Sequence, residues 1–145
     1  MSPQLRVAEP PQPYGLPALV VDASVLAGMV FREAWYEQAR HQIEDRHLHA
    51  PHLILHEISS VALKKWRRQE PHALDGLALA LQQRMDLHTV DPMPAFALAQ
   101  QYQLSAYDAA YLHLATQLHC PLATFDDALD RAARLHWVQL GGQPP

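Results

Sequence analysis

The chain has 145 residues, a mass of 16.3 kDa and 49% hydrophobic residues, enough for one domain that buries roughly two thirds of the surface its unfolded chain exposes. It has no run of about eighteen uninterrupted apolar residues and no basic segment followed by an apolar one at its start, so the expectation is a cytoplasmic protein without a membrane span or secretory leader. One cysteine, Cys120 in an apolar stretch, excludes an internal disulfide and a thiolate zinc cage and reads as a core thiol.

In chain order, residues 1–17 carry Pro3, Pro10, Pro11, Pro13 and Pro17 with few large apolar residues, the composition of an extended, disordered tail. The folded unit is expected over 18–140, with 141–145 as a short C-terminal tail. Ala18 to Val21 reads as a buried first strand ending at Asp22, followed by a helix over about Arg32 to Arg46 and a strand at Leu48 to Ala50. Pro51 suits the first position of a helix through Leu53, Ile54, Ile58, Val61 and Leu63 to Arg68. Pro71 opens another through Leu74, Leu77, Leu81 and Met85. A third strand covers Leu87 to Val90, and Pro92 and Pro94 lead into a helix over Phe96 to Gln103.

Ser105 is a candidate N-cap for a helix with Tyr107, Tyr111, Leu114 and Leu118 on one stripe. Pro121 to Phe125 forms the fourth strand, ending at Asp126. A helix over about Asp127 to Arg134 and a fifth strand at Trp137 to Leu140 complete the pattern. Short apolar runs alternating with segments of helical period predict an α/β domain with a central parallel sheet of about five strands flanked by helices.

Four carboxylates stand out. Asp22 and Asp126 directly follow apolar strands, so both fall at the carboxyl ends of strands, where open α/β sheets bind ligands. Either could instead cap the helix that follows. Glu57 lies among Ile54, Ile58 and Val61 at helical spacing, where a carboxylate must reach water or meet a cation, unless the helix is rotated to turn it outward. Asp108 sits three residues after Ser105, suited both to the helix dipole and to ligation at the sheet's edge. Four such acids within a few Å would repel unless a divalent cation held them. Oxygen-only ligation with room for waters is what Mg²⁺, or Mn²⁺ as a substitute, prefers, and the chemistry it suits is phosphodiester hydrolysis by a metal-activated water. A net charge of −4 argues against a nucleic-acid partner at first sight. Neutralising these four acids with bound cations would bring the formal charge to zero, so charge leaves the question open.

Val20-Val21-Asp22-Ala23-Ser24-Val25-Leu26, the Pro51 helix with Glu57, Leu104-Ser105-Ala106-Tyr107-Asp108-Ala109-Ala110-Tyr111 and Leu122-Ala123-Thr124-Phe125-Asp126 resemble the motifs of PIN domains in order and approximate spacing, over about Ala18 to Leu140. Within that family the chain looks most like the VapC toxins of type II toxin–antitoxin systems. The resemblance implies a PIN-like three-layer sandwich, Mg²⁺-dependent endoribonuclease activity, a homodimer and a VapB-type antitoxin that folds over the site. It implies Asp22, Glu57, Asp108 and Asp126 as the catalytic, metal-binding quartet, with Ser24 and Thr124 at hydroxyl positions that orient ligands or water. The proline-rich stretch before the first strand departs from these toxins, in which that strand begins within a few residues of the start. Asp127, adjacent to Asp126, competes for the fourth position. Asp126 is preferred because it ends the strand, and Asp127 reads as a helix N-terminal charge.

Other features compete for attention. His49, His52 and His56 cluster, with His52 and His56 at a helical i, i+4 spacing that can bind zinc, but His56-Glu57-Ile58-Ser59-Ser60 breaks the zinc-protease pattern. Lys64, Lys65, Arg67 and Arg68 around Trp66 form a candidate RNA-binding run, or equally a solvated helix end. The alternatives to a toxin are a PIN-type RNA-processing nuclease outside a toxin system, a non-catalytic phosphoacceptor receiver, faintly suggested by Asp91-Pro92-Met93-Pro94, and a non-cutting RNA- or protein-binding domain.

Overall fold

In the computed structural model, which describes residues 15–141, the chain starts its sheet with β1, Ala18–Val21. Leu19, Val20 and Val21 are all buried, as a strand covered on both faces requires of an unbroken apolar run. Asp22 then turns the chain by capping α1, Ala23–Val30. After α2, Tyr36–Ile43, come β2, His47–Pro51, α3, Ile54–Arg67, α4, Ala73–Gln82, and β3, Asp86–His88. The remainder is α5, Pro92–Tyr102, α6, Ala106–Leu118, β4, Leu122–Ala123, and α7, Asp127–Gln139. The four strands are parallel in the order β3-β2-β1-β4, so β1 is interior and its carboxyl end opens between neighbours on both sides.

The helices pack in two groups, α1 to α4 and α5 to α7, with α6 against β1 and β2. The core beneath them includes Ile54, Ile58, Tyr111, Leu112, Leu114 and Leu129, each essentially inaccessible. Gly28 permits a close approach inside the first group, because a Cβ there would lie 2.6 Å from the Trp35 ring. No helix among the described residues is long and apolar enough to cross a membrane.

The α/β architecture with a parallel central sheet matches the sequence expectation, and several elements correct it. The helix expected over Arg32 to Arg46 is the shorter α2, Tyr36–Ile43, and an unexpected helix, α1, precedes it, the two joined through a turn in which Arg32 takes a positive φ of 49°. Pro51 ends β2 instead of opening α3. Met85 lies beyond α4, and Leu74 and Leu81 face outward. Tyr107 is 64% exposed and so is off the buried stripe of α6. The expected fifth strand at Trp137 to Leu140 does not form: α7 continues through it to Gln139, held by Tyr102 Oη and Gln101 Nε2, both of which donate to Gln139 Oε1. The sheet therefore has four strands. The expected tails at 1–17 and 141–145 fall mostly outside the described residues.

Candidate active site

The crevice is organised around Asp22, which is 5% exposed. Its Oδ1 accepts from the backbone N of Val25 at 3.1 Å, as an N-cap does, and from Ser24 Oγ at 2.6 Å. Its Oδ2 accepts from Thr124 Oγ1. The two hydroxyls serve both walls of the crevice, since Ser24 Oγ also accepts from the backbone N of Phe125 at 3.0 Å and Thr124 Oγ1 from that of Asp126 at 2.9 Å. The carboxylate is thus tied by two two-way hydroxyls to the turn between β4 and α7. Burial pushes the Asp22 carboxyl up from its ordinary value, and these hydrogen bonds pull against that shift.

Glu57 projects from the first turn of α3, and its Oε1 accepts from Tyr111 Oη at 2.8 Å. Burial raises its carboxyl, the Tyr111 bond opposes the rise, and the charges of Asp108 and Asp22 add to it. Asp108 occupies the first turn of α6, where Ser105 caps the helix by accepting from the Asp108 backbone N at 3.0 Å. Its carboxyl is raised by burial first, then by Asp126 and Asp22. Asp126 is exposed and caps α7, its Oδ1 accepting from Leu129 N at 2.8 Å. These couplings link all four acids through Asp22 and Asp108. Asp127 lies in the first turn of α7 and figures in none of them.

The acids surround the crevice without converging. Among the described residues only one trio of His, Cys, Asp or Glu side chains brings ligand atoms within 4.8 Å of one another, and it is not drawn from these four. Mutual repulsion between uncompensated carboxylates accounts for such a spread. The donor set remains all oxygen and acidic, which fits a hard divalent cation that keeps several of its waters.

The basic run divides. Lys65 is committed inside the fold, with Nζ 2.6 Å from Glu33 Oε1 and 3.1 Å from Glu70 Oε2, and over the Phe31 ring at 5.3 Å. Lys64, Arg67 and Arg68 are exposed. His52 precedes α3, so the expected helical pair of His52 with His56 is not built, and both rings face solvent. Asp91 is the N-cap of α5, accepting from Met93 N at 3.0 Å, a capping arrangement that accounts for the faint likeness to a phosphorylation loop.

Sequence reasoning missed the Tyr111 hydroxyl as the partner of Glu57, because that contact joins residues 54 positions apart. It also missed the aromatic pair at the rim, Phe125 on Trp35, with ring centroids 5.8 Å apart and both rings more than a third exposed. An aromatic placed between Thr124 and Asp126 was the available signal for the second.

The PIN-domain family model matches residues 19–135. Ribonuclease VapC9 of Mycobacterium tuberculosis is 36% identical over 114 residues, covering 74% of this chain and 85% of that protein. Ribonuclease VapC3 of Pyrobaculum aerophilum is 32% identical over 119 residues, covering 77% and 91%. Among solved structures, PAE2754 from Pyrobaculum aerophilum superposes with a TM-score of 0.63 at 20% identity, over 86% of this chain and 97% of that one. Mycobacterium tuberculosis VapC20, described as a toxin that cleaves the sarcin–ricin loop, superposes with a TM-score of 0.59 at 16% identity, over 79% and 94%.

Proposed function

The chain belongs to the PIN-domain family, and from that membership we propose that it is an endoribonuclease of the VapC toxin type, using Mg²⁺ held by Asp22, Glu57, Asp108 and Asp126. The observation that carries the reading is Asp22: a buried, hydroxyl-clamped carboxylate at the carboxyl end of the interior strand, with three more acids electrostatically coupled around it. A buried acid so costly to ionise is expected where a cation repays the ionisation.

Bound there, a divalent cation supplies Lewis acidity, lowers the pKa of water and offsets charge on phosphoryl oxygens. The protein's own residues do the positioning. Ser24 and Thr124 hold both Asp22 oxygens, so the carboxylate enters the reaction without reorganising. Tyr111 fixes Glu57 and, as its own phenol is pushed well above its ordinary value by burial and by Glu57, stays a donor. Asp108 and Asp126 close the ring from the starts of α6 and α7. Exposed Lys64, Arg67 and Arg68 are available to phosphates, and Ser24 and Thr124 act through Asp22.

The relatives' names support RNA as the substrate, and a VapB-type antitoxin and a homodimer belong to the same proposal as what the VapC resemblance implies. The test is cleavage of a structured RNA by the purified protein. Activity should require Mg²⁺ or Mn²⁺, disappear with chelator, and fall by orders of magnitude in Asp22→Asn and Asp108→Asn. Undiminished cleavage in those variants would overturn the assignment.

A further inference from the structure

The trio with converging ligand atoms lies on the sheet itself, away from the acids. β2 and β3 run parallel with His49 opposite Asp86 and Pro51 opposite His88. Side chains alternate faces along a strand, so His47 and His49 share one face of β2, and Asp86 and His88 share that face of β3. The segments His47-Leu48-His49 and Asp86-Leu87-His88 therefore build a staggered patch of three imidazoles and one carboxylate, with His49 and Asp86 opposite each other, His47 and His88 at its two ends, and Leu48 and Leu87 turned the other way.

Three of these donors, His47, His49 and Asp86, are close enough to share an ion. His47 Nε2 lies 2.9 Å from Asp86 Oδ2, and His49 Nδ1 lies 4.0 Å from that same oxygen. One ligand atom each from His47, His49 and Asp86 lies within 4.8 Å of the other two. His88 Nε2 is 2.9 Å from His49 Nδ1. Ligands about 2.0–2.1 Å from a tetrahedral ion stand roughly 3.3 Å apart, so the present separations fall on both sides of that value and rotations of the side chains would meet it.

We infer that His47, His49 and Asp86, with His88 as a fourth donor, form a second metal site that takes a divalent transition metal of the zinc type and ties the edge strand β3 to β2. Imidazole-rich sets with one carboxylate select Zn²⁺, Co²⁺, Ni²⁺ or Cu²⁺, whereas the carboxylate crevice suits Mg²⁺ or Mn²⁺. His49 is buried, and its ring lies between those of His47 and His88, with centroids 4.4 and 5.2 Å away. The side chains of His47 and Asp86 are 51% and 60% exposed, leaving a route for the ion. β3 has three residues and one strand neighbour, so a bound ion would add a cross-link to a short edge strand. The inference does not depend on the nuclease reading.

The experiment titrates Zn²⁺, and in parallel Co²⁺, into the untagged full-length protein with excess Mg²⁺ present to occupy the crevice. Calorimetry should count one Zn²⁺ per chain, the melting temperature should rise with Zn²⁺, and Co²⁺ should develop the visible absorption of a tetrahedral site. His47→Gln and Asp86→Asn, both at exposed positions, should weaken Zn²⁺ by at least about tenfold and remove the thermal shift, while His52→Gln should change neither. Circular dichroism without metal checks that the variants fold. No stoichiometric Zn²⁺ binding, or binding unaffected by His47→Gln and Asp86→Asn in folded protein, would overturn the site.

Discussion

One sheet carries two clusters of ligand-type side chains, and they are built in opposite ways. Around Asp22 the acids come from one strand end and three helix starts and are spread apart, with Asp22 and Glu57 held by hydroxyls and Asp126 by the backbone N of Leu129. On β2 and β3 the imidazoles come from two adjacent strands in register and lie within contact of one another. Like charges force the first arrangement, whereas neutral rings permit the second. Carboxylates that repel are placed here by separate elements. Neutral imidazoles can be placed by period-two alternation alone, which yields a tight cluster.

The largest expected effect separates the two regions. Asp108→Asn should abolish RNA cleavage, and because it removes a partly buried acid whose ionisation is opposed by burial and by Asp126 and Asp22, it should raise the melting temperature of the metal-free protein by about 2–5 °C. Zn²⁺ binding at the histidine patch should be unchanged. Thermal melts in chelator beside an RNA cleavage assay check both; a less stable apo variant would show that the crevice is not electrostatically frustrated.

Next in size is the hydroxyl clamp. Ser24→Ala and Thr124→Val each remove one donor to Asp22 and one acceptor for the β4–α7 turn. Each is expected to cost about 10–100-fold in Mg²⁺ affinity or cleavage rate. The double variant should lose more than either alone, and the Mg²⁺ dependence of the rate is the measurement that distinguishes lost metal from lost fold.

A smaller effect tests whether the basic run serves the crevice. Arg67→Glu with Arg68→Glu should weaken RNA binding and flatten its dependence on salt, by about 0.7 in log–log slope for each phosphate contact removed. Lys65→Met should act differently, through stability, because its charge is already spent on Glu33 and Glu70. Filter binding across a salt series separates the two outcomes.

The contrast also explains what was legible in the sequence. β1 was readable to the residue because Ala18–Val21 is an unbroken apolar run ending in an acid, and Ser105 because a cap is a local signal. From those two, topology alone sends Asp22 and Asp108 to the same end of the sheet. α1 was missed because Ala23–Val30 is buried nearly all round, with Val25 through Gly28 and Val30 inside, and a helix covered on every side has no periodic stripe to find. Trp137 to Leu140 imitated a strand, being a short run rich in apolar residues, and long-range bonds from Gln101 and Tyr102 decided for helix. The histidine patch was invisible for a related reason: His49 and Asp86 become neighbours only through the register of β2 with β3, which no local pattern encodes.

The smallest effect concerns a third histidine region, between α5 and α7. His136 is buried, its Nδ1 lies 3.0 Å from Tyr102 Oη, and burial followed by His113 lowers its pKa below the ordinary 6.5. Since Tyr102 Oη donates to Gln139 Oε1, the neutral His136 ring donates to the phenol oxygen from Nδ1. Between the folded pKa and 6.5 the unfolded chain holds a proton on this residue that the folded chain refuses, so the unfolded state binds more protons and stability falls as the pH is lowered through that window. Above 6.5 the contribution is fully present. His136→Phe keeps a ring in the core and removes the titration, so its melting temperature should depend less steeply on pH between about 7 and 5, although the absolute value drops with the lost Tyr102 bond. His49 is lowered in the same direction and should supply the acid sensitivity that survives in His136→Phe. Adding Zn²⁺ at pH 7 should then make that residual slope steeper, because protons would have to displace the ion from the histidine patch as well as overcome burial.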